Sequence, residues 1–480
     1  MDLPLSYNFC KSNNLTITNE NDITCIHYCQ EPSISVLNYI EQFTSKTITS
    51  KFYNPDDFSN LITELYSNKT QEYDLDELSD NELQNLASSI TPSEDILDDK
   101  NEGPIIKLIN ATIAKAIKAR ASDIHLEPYE DYLSIRFRVD GILNEVLKYQ
   151  STIAQMITSR IKIMSKLDIS ERRLPQDGRI SISLGQREID LRVSTLPSSF
   201  GERIVLRILE KGSANISLDD LGFDKAILST FRSSLHKSEG IVLVTGPTGS
   251  GKTTSLYAGL KEISDRTQNI LTIEDPVEYA LHGIGQTQVN TKTGLTFARG
   301  LRAILRQDPD IVMVGEIRDK ETAEIAIQAS LTGHLVLSTV HTNSAISAIT
   351  RLRDMGIEPY LLSSSLVYIL SQRLVRRLCN NCKIPEDNIH LLEAYGLKNN
   401  IFKPSGCAQC DNTGYLGRLS IGEFISVDKK LSNLIYNSAS ENEISDYVYQ
   451  KNKQIFLNGL DAVSIGATSL SEILRISDND

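Results

Sequence analysis

The chain lacks any apolar run approaching the roughly 18 residues that a membrane-spanning helix needs. Its start, Met1 to Cys10, lacks a basic stretch followed by an apolar core. Neither a membrane span nor a secretory leader is therefore expected, and the reading is a cytosolic protein. No arginine precedes Arg120, and no long lysine or arginine run occurs anywhere. With a formal charge of -13, this argues against a nucleic-acid partner. The charge is also uneven: residues 1–100 hold 18 Asp and Glu against 5 Lys, whereas 101–480 are balanced at 44 of each sign. The first hundred residues are thus a chemically separate unit, whose acidity reads as a solvated face. Cysteine is scarce. Cys10, Cys25 and Cys29 read as ordinary buried thiols, and reduced cytosolic thiols make disulfides an unlikely framework. Internal repeats and coiled-coil heptads are absent.

What is present fits about three domains in 480 residues. Residues 1–65 read as a small acidic module of short helices, and 66–102 as a polar, acidic linker. From 103 to 211 the pattern is α+β. Ile105, Ile109, Ile113 and Ile117 recur at helical spacing, then Leu133, Ile135, Phe137 and Val139 alternate with polar residues up to a turn at Gly141. One helix, about Ile153 to Lys166, interrupts the strands. From 212 to 376 strands (241–245, 270–273, 311–314, 335–340) alternate with helices (252–265, 321–331), which predicts a P-loop α/β core. Its continuous apolar strands suit a parallel sheet covered on both faces. A cysteine-bearing segment follows at 377–415. The tail, 416–480, reads as mainly helical.

Within that core, Gly246-Pro247-Thr248-Gly249-Ser250-Gly251-Lys252-Thr253 joins an apolar strand to a helix that continues through Thr254. Glycines let backbone N–H groups converge on a polyphosphate, and the helix N-terminus adds partial positive charge. Lys252 would then neutralise the β/γ-phosphates, and Thr253 would offer a hydroxyl to Mg²⁺. Hydrolysis further needs carboxylates to hold metal and orient water. Glu274, Asp275 and Glu278 follow one strand in I-E-D-P-V-E, and Glu316 follows another in D-I-V-M-V-G-E-I-R-D. Acidic residues at the carboxyl ends of strands face the ligand crevice of an open α/β sheet. His334 and His341 flank the next strand; each reads as a structural hydrogen-bonding residue, with γ-phosphate sensing as the alternative.

Cys379-x-x-Cys382 and Cys407-x-x-Cys410 form two knuckles 24 residues apart. Each pair can supply two thiolates to one tetrahedral zinc ion, and four cysteines leave no open position for water, so the expected role is structural.

These blocks, in this order, resemble the cytoplasmic ATPases of type II secretion systems, within the wider secretion and type IV pilus ATPase family. The P-loop, I-E-D-P-V-E as the Asp box, R-Q-D-P-D-I-V-M-V-G-E-I-R-D as Walker B and T-G-H-L-V-L-S-T-V-H-T-N as the His box carry the likeness. A-S-D-I-H-L-E-P, R-F-R-V-D-G and R-V-S-T-L-P carry it into the preceding domain. The resemblance implies a RecA-like P-loop core, a preceding α+β domain, a small tetracysteine zinc subdomain and a small N-terminal module. It also implies a hexameric motor that hydrolyses ATP for secretion, with pilus extension as the alternative. Glu316 would support the metal together with Thr253; Glu278 would orient the attacking water, with Glu316 as its rival. Arg192 and Arg207 would reach the phosphates from the preceding domain, Arg418 would complete the site near a subunit junction, and Arg302 and Arg306 would support the Asp box. His341 falls in the His box. The implied partners are the cytoplasmic domain of a bitopic inner-membrane secretion protein, docked by residues 1–65, and a polytopic inner-membrane platform protein. The implied location is cytoplasmic, peripherally attached to the inner membrane.

Overall fold

The computed structural model describes residues 13–20, 23–33, 36–37, 40, 47–54, 57–58, 61, 80–89, 99–184, 187–210, 216–387, 394–397 and 401–477. Cys10 lies outside them. The chain divides into two units: residues 1–91, 99–115 and 184–187, and residues 92–98, 116–183 and 188–480.

The first unit contains three strands: β1 (Leu15–Glu20), β2 (Ile23–Tyr28) and β3 (Thr47–Phe52). β2 pairs antiparallel with β1 and parallel with β3. This differs from the expected short helices. The reason is local: Leu15-Thr16-Ile17-Thr18 is β-branched and alternating, which favours a strand. Leu15, Ile17, Ile40 and Phe58 make its small core. The expected linker holds a helix, Asp80–Ser89, with Leu83 and Ala87 buried one turn apart. A second helix runs Asp99–Lys118.

The second unit opens with a six-stranded sheet of β4 (Ala121–Pro128), β5 (Tyr132–Val139), β6 (Ile142–Gln150), β7 (Gln176–Leu184), β8 (Arg187–Ser198) and β9 (Gly201–Glu210). Its order is β6-β5-β4-β9-β8-β7. The β5–β6 hairpin turns at Asp140 and Gly141, both at positive φ (48° and 88°), which matches the right-handed strand twist. The helix Ala154–Met164 lies where the sequence places it.

The core sheet contains β10 (Gly240–Thr245), β11 (Ile270–Glu274), β12 (Gly285–Gln288), β13 (Ile311–Val314), β14 (Leu335–Val340) and β15 (Leu366–Leu378). After the short pair β16 (Ile384–Pro385) and β17 (Phe402–Lys403), β18 (Tyr415–Ser426) completes it. The order is β12-β11-β13-β14-β10-β15-β18. All pairings are parallel except β15 with β18. Ile241 and Leu243 enter the core on one face; Val242 and Val244 enter the core on the other. That double burial is why these strands read as unbroken apolar runs. The tail differs from its reading, because it begins with β18 before the helices Lys429–Tyr436, Glu441–Val448, Ile455–Ser464 and Leu470–Ser477. Among the described residues no helix is long and apolar enough to cross a membrane.

Candidate nucleotide and metal sites

Strand order fixes the site. β14 lies between β13 and β10, so the residues after β14 fall between those after β13 and the loop after β10. His341 accordingly sits between Glu316 and Lys252. Its Nε2 is 3.5 Å from a Glu316 oxygen and its Nδ1 is 3.5 Å from Lys252 Nζ. Burial and the neighbouring Lys252 push His341 below its ordinary value, against the pull of Glu316, so the ring is neutral at neutral pH. The ammonium can only donate. The tautomer that suits both neighbours therefore carries its proton on Nε2, toward the carboxylate. His334 has a different role: its Nδ1 lies 2.9 Å from the Ala329 carbonyl, at the end of the helix Lys320–Leu331.

The phosphate loop is built on three glycines at positive φ: Gly246 (146°), Gly249 (81°) and Gly251 (86°). A Cβ on Gly246 would lie 2.5 Å from the Gln372 carbonyl. The helix Lys252–Ile263 begins at Gly251 without a side-chain cap. The nearby helices Phe297–Ile304, Lys320–Leu331 and Ala345–Asp354 are capped by Thr296, Asp319 and Ser344. The first N–H groups at Lys252 are thus left for an anion. Thr253 is exposed at this end and Thr254 half-buried. Lys252 Nζ donates to the carbonyls of Gly246 (2.8 Å) and Pro247 (3.0 Å). Burial pushes Lys252 down to about 8; Arg373 adds to this and Glu316 opposes it.

Several partners of this loop carry no signal in the sequence. Gln372, on β15, is fully buried. It donates to the Ser250 carbonyl (2.6 Å) and accepts from the Ser255 hydroxyl (2.8 Å). Its neighbour Arg373 donates to the Asn343 carbonyl, just past His341. Thr245 and Thr342 join the phosphate loop to the His box, their hydroxyls 2.6 Å apart. Glu316 is held by Arg318. The carbonyls just before Glu316 are fixed by Ser338 and Thr339 of β14, at 2.8 and 2.7 Å.

The Asp-box acids separate. Glu274 is buried and bonded to Tyr257, Thr272 and Gln286, so it is not a free loop acid. Glu278 is half-exposed, and Arg192 NH2 lies 3.3 Å both from its carboxylate and from the Val277 carbonyl. Arg192 is the candidate arginine that the structure joins to the site. Arg207 instead bonds Asp123 across the strand pair (2.9 Å), and Arg418 lies 3.6 Å from Asp140. Arg302 pairs with Glu321, and Arg306 donates to the Arg302 carbonyl; neither contacts the Asp box.

The four thiols come together. Cys379 and Cys407 lie 3.9 Å apart, and Cys410 is 3.7 Å from both Cys382 and Cys407. Four thiolates at the usual Zn–S length of about 2.3 Å would have edges of about 3.8 Å; all four sulfurs lie within 4.8 Å of one another, so the set fits zinc with at most a small closing movement. Backbone N–H groups of Gly406 and Gly414 point at Cys382 and Cys410 (3.3 and 3.2 Å), and the Asn381 amide donates to Cys407 (3.3 Å). The Asn381 amide holds Cys407 down to about 6, which favours its thiolate, whereas burial pushes Cys382 up to about 11, so zinc would have to displace that thiol's proton. Cys25 and Cys29 are free thiols in the first unit, half-buried and not buried as their sequence reading expects.

A family model described as type II/IV secretion system protein matches residues 98–475. The chain is 50% identical to the type II secretion system ATPase E of Vibrio cholerae over 431 residues, covering 88% of this chain and 86% of that protein. It is 45% identical to the type II secretion system protein E of Dickeya dadantii over 481 residues, 98% of this chain and 97% of that one, so the likeness takes in the acidic first unit. Among solved structures, the pilus retraction motor PilT with bound ADP is similar, with a TM-score of 0.53 and 25% identity, covering 76% of this chain and 95% of that chain.

Proposed function

The chain belongs to the type II/IV secretion system protein family, and from that premise we propose how its residues couple nucleotide chemistry to export. It is an ATPase that hydrolyses ATP to ADP and phosphate and drives type II protein secretion across the outer membrane through pseudopilus assembly. The observation that carries the residue-level reading is the uncapped helix start at Lys252, with His341 and Glu316 facing it. Backbone amides of 248–253 grip the triphosphate and Lys252 neutralises it; Thr253 and Glu316 would hold Mg²⁺, which would offset the phosphate charge. Neutral His341 donates toward Glu316 and accepts from Lys252, so it can report the arrival of negative charge. Glu278 orients water for attack, and Arg192 offsets charge as the terminal phosphate leaves.

The active form is a homohexamer, in which Arg207 and Arg418 change partners from Asp123 and Asp140 to phosphate when neighbouring domains move. Cys379, Cys382, Cys407 and Cys410 would hold a structural zinc ion, which would brace the segment between β15 and β18. The acidic first unit docks on the cytoplasmic domain of the bitopic inner-membrane protein, and the hexamer turns against the polytopic platform protein. The motor thereby sits peripherally on the cytoplasmic face of the inner membrane.

Lys252→Ala, placed in the chromosome, should abolish hydrolysis by the purified protein and stop export of extracellular enzymes while leaving surface pili unchanged. Undiminished export with a protein that no longer hydrolyses ATP would overturn the motor role. Loss of pili with normal export would reassign the chain to pilus extension.

A further inference from the structure

Tyr257 lies on the helix that begins at Lys252, five residues further on, and its side chain is buried. Its hydroxyl donates to the carboxylate of Glu274, the last residue of β11 and itself 2% exposed. Thr272 and the Gln286 amide also donate to Glu274. All three partners are neutral. A buried carboxylate met only by neutral donors is costly, and a core needing only volume would hold an apolar residue there. Glu274 also sits at a particular place: the next four residues form the turn that ends in Glu278.

The same phenol oxygen receives the backbone N–H of Glu278 (3.4 Å) and the Gln286 amide (3.3 Å). Tyr279 packs edge-on against the Tyr257 ring at 4.8 Å. One oxygen on the phosphate-binding helix therefore touches both ends of the Asp-box turn, Glu274 and Glu278. On the outer side, Arg192 holds the Val277 carbonyl and the Glu278 carboxylate.

We propose that Tyr257 is a positioning residue for hydrolysis: through Glu274 and the Glu278 backbone it transmits the placement of the phosphate-binding helix to the Asp-box turn, and so sets where the Glu278 carboxylate lies. The inference rests on the reading of Glu278 as the group that orients water. The Tyr257 hydroxyl is engaged with Glu274, the Glu278 N–H and the Gln286 amide and not with the phosphate loop, so it acts on turnover and leaves the grip on nucleotide alone.

Tyr257→Phe keeps the ring and its packing and removes the hydroxyl. In the full-length oligomer, Kd for Mg-ATP should stay within twofold of wild type while kcat falls about tenfold, the size expected for losing one charge-assisted hydrogen bond. Glu274→Gln removes the charge that strengthens the phenol's bond and should lower kcat in the same direction with Kd within twofold; wild-type kcat in that variant overturns the coupling through Glu274. Glu278→Gln is run alongside. Loss of kcat in Glu278→Gln with unchanged kcat in Tyr257→Phe overturns the role of Tyr257 and leaves that of Glu278 standing. Wild-type kcat in Glu278→Gln overturns the reading of Glu278 and the inference with it. Equal loss of affinity and kcat in Tyr257→Phe also overturns it, since that is the mark of a merely structural bond. If Tyr257→Phe does not fold, Gln286→Leu, which strips the second donor from the phenol and leaves the ring in place, must show the same split for the inference to stand.

Discussion

The charge state of Lys252 makes the grip on ATP depend on pH in a way that an ordinary lysine would not. Burial brings this group from 10.5 to about 8 before a triphosphate is added. A triphosphate against the ammonium favours the charged form strongly, so binding above pH 8 must recharge the lysine by taking up a proton. At pH 9, one unit above the folded value, only about one lysine in eleven is charged. The Kd for Mg-ATP should therefore rise about tenfold between pH 7.5 and pH 9, with close to one proton taken up per site near pH 9 and few at pH 7.5. A lysine at its ordinary value would lose only a few per cent of affinity over that range. Stability moves the other way. Because the folded value lies below the unfolded one, the unfolded chain binds more protons between about pH 8 and 10.5, and the nucleotide-free protein gains stability as pH rises through that window. The assay is titration with Mg-ATP at constant ionic strength, with calorimetry in two buffers of unlike ionisation enthalpy to count protons. A Kd that stays flat to pH 9.5, or binding without proton uptake, refutes the account. Lys252→Met should remove binding and also erase the rise in stability with pH.

Gln372→Ala loses two buried hydrogen bonds to the phosphate loop, each worth about 1 kcal/mol, and should raise Kd for Mg-ATP about tenfold or more by fluorescent-nucleotide titration; unchanged affinity would remove Gln372 from the site. Gly251→Ala should be worse. It puts a side chain at a φ of 86°, at a cost of about 1–2 kcal/mol, and sets a Cβ 3.1 Å from the Gln372 amide, so both melting temperature and nucleotide affinity should fall. Arg192→Ala and Arg207→Ala should each leave Kd alone and cut oligomer kcat by about a hundredfold or more; a wild-type rate in either variant takes that arginine out of the reaction. The purified chain should carry one zinc per protomer by emission spectrometry, and Cys407→Ser should lose it and speed hydrogen exchange across 377–415; less than a tenth of an equivalent in folded wild type would rule the ion out.

The parts of the core legible in the sequence are those where one residue type has one physical use. Glycines before Lys252 can serve only a loop at positive φ, and the unbroken apolar runs of β10, β13 and β14 can serve only strands buried on both faces. The strands β15 and β18 were illegible because they mix apolar residues with Gln372, Arg373, Arg376 and Glu423. These are polar residues whose burial depends on partners far along the chain: Arg376 on Glu472 (2.8 Å), and Glu423 on the Ala345 N–H (2.8 Å). Pairing of that kind leaves no periodic trace. The same holds at the site. Lys252, Glu316 and His341 announce themselves by position after strands, whereas Tyr257 looks like one more core aromatic until its hydroxyl is seen against Glu274. In the first unit the polar surroundings of β1 outweigh its threonine alternation, so the sequence there carries the signal of short helices where the chain forms a sheet.

The cations proposed to meet the triphosphate, and the arginine beside Glu316, are already engaged by the protein's own oxygens. Lys252 lies on two loop carbonyls, Arg318 on Glu316, Arg192 on Glu278, Arg207 on Asp123 and Arg418 near Asp140. Each of these contacts must be exchanged, not merely added to, when nucleotide and Mg²⁺ arrive. Affinity is then the difference between two sets of charge pairs, and only exchanges completed in the transition state accelerate hydrolysis. Lys252 can exchange by a small movement of its own side chain. Arg207 and Arg418 are held outside the phosphate loop, so their exchange needs displacement of a whole domain or neighbour. A chain arranged this way should bind ATP as a monomer and turn it over slowly, and should gain rate only when assembly or docking moves the arginines. That coupling of rate to domain position is what lets hydrolysis perform mechanical work, and it places the control of turnover in the salt bridges to Asp123 and Asp140 as much as in the phosphate loop. Asp123→Asn should accordingly raise the rate of the oligomer, in which domain movement can carry the freed Arg207 to phosphate, and leave the isolated monomer as slow as wild type; an oligomer rate left unchanged, or lowered, would show that the bridge does not restrain hydrolysis.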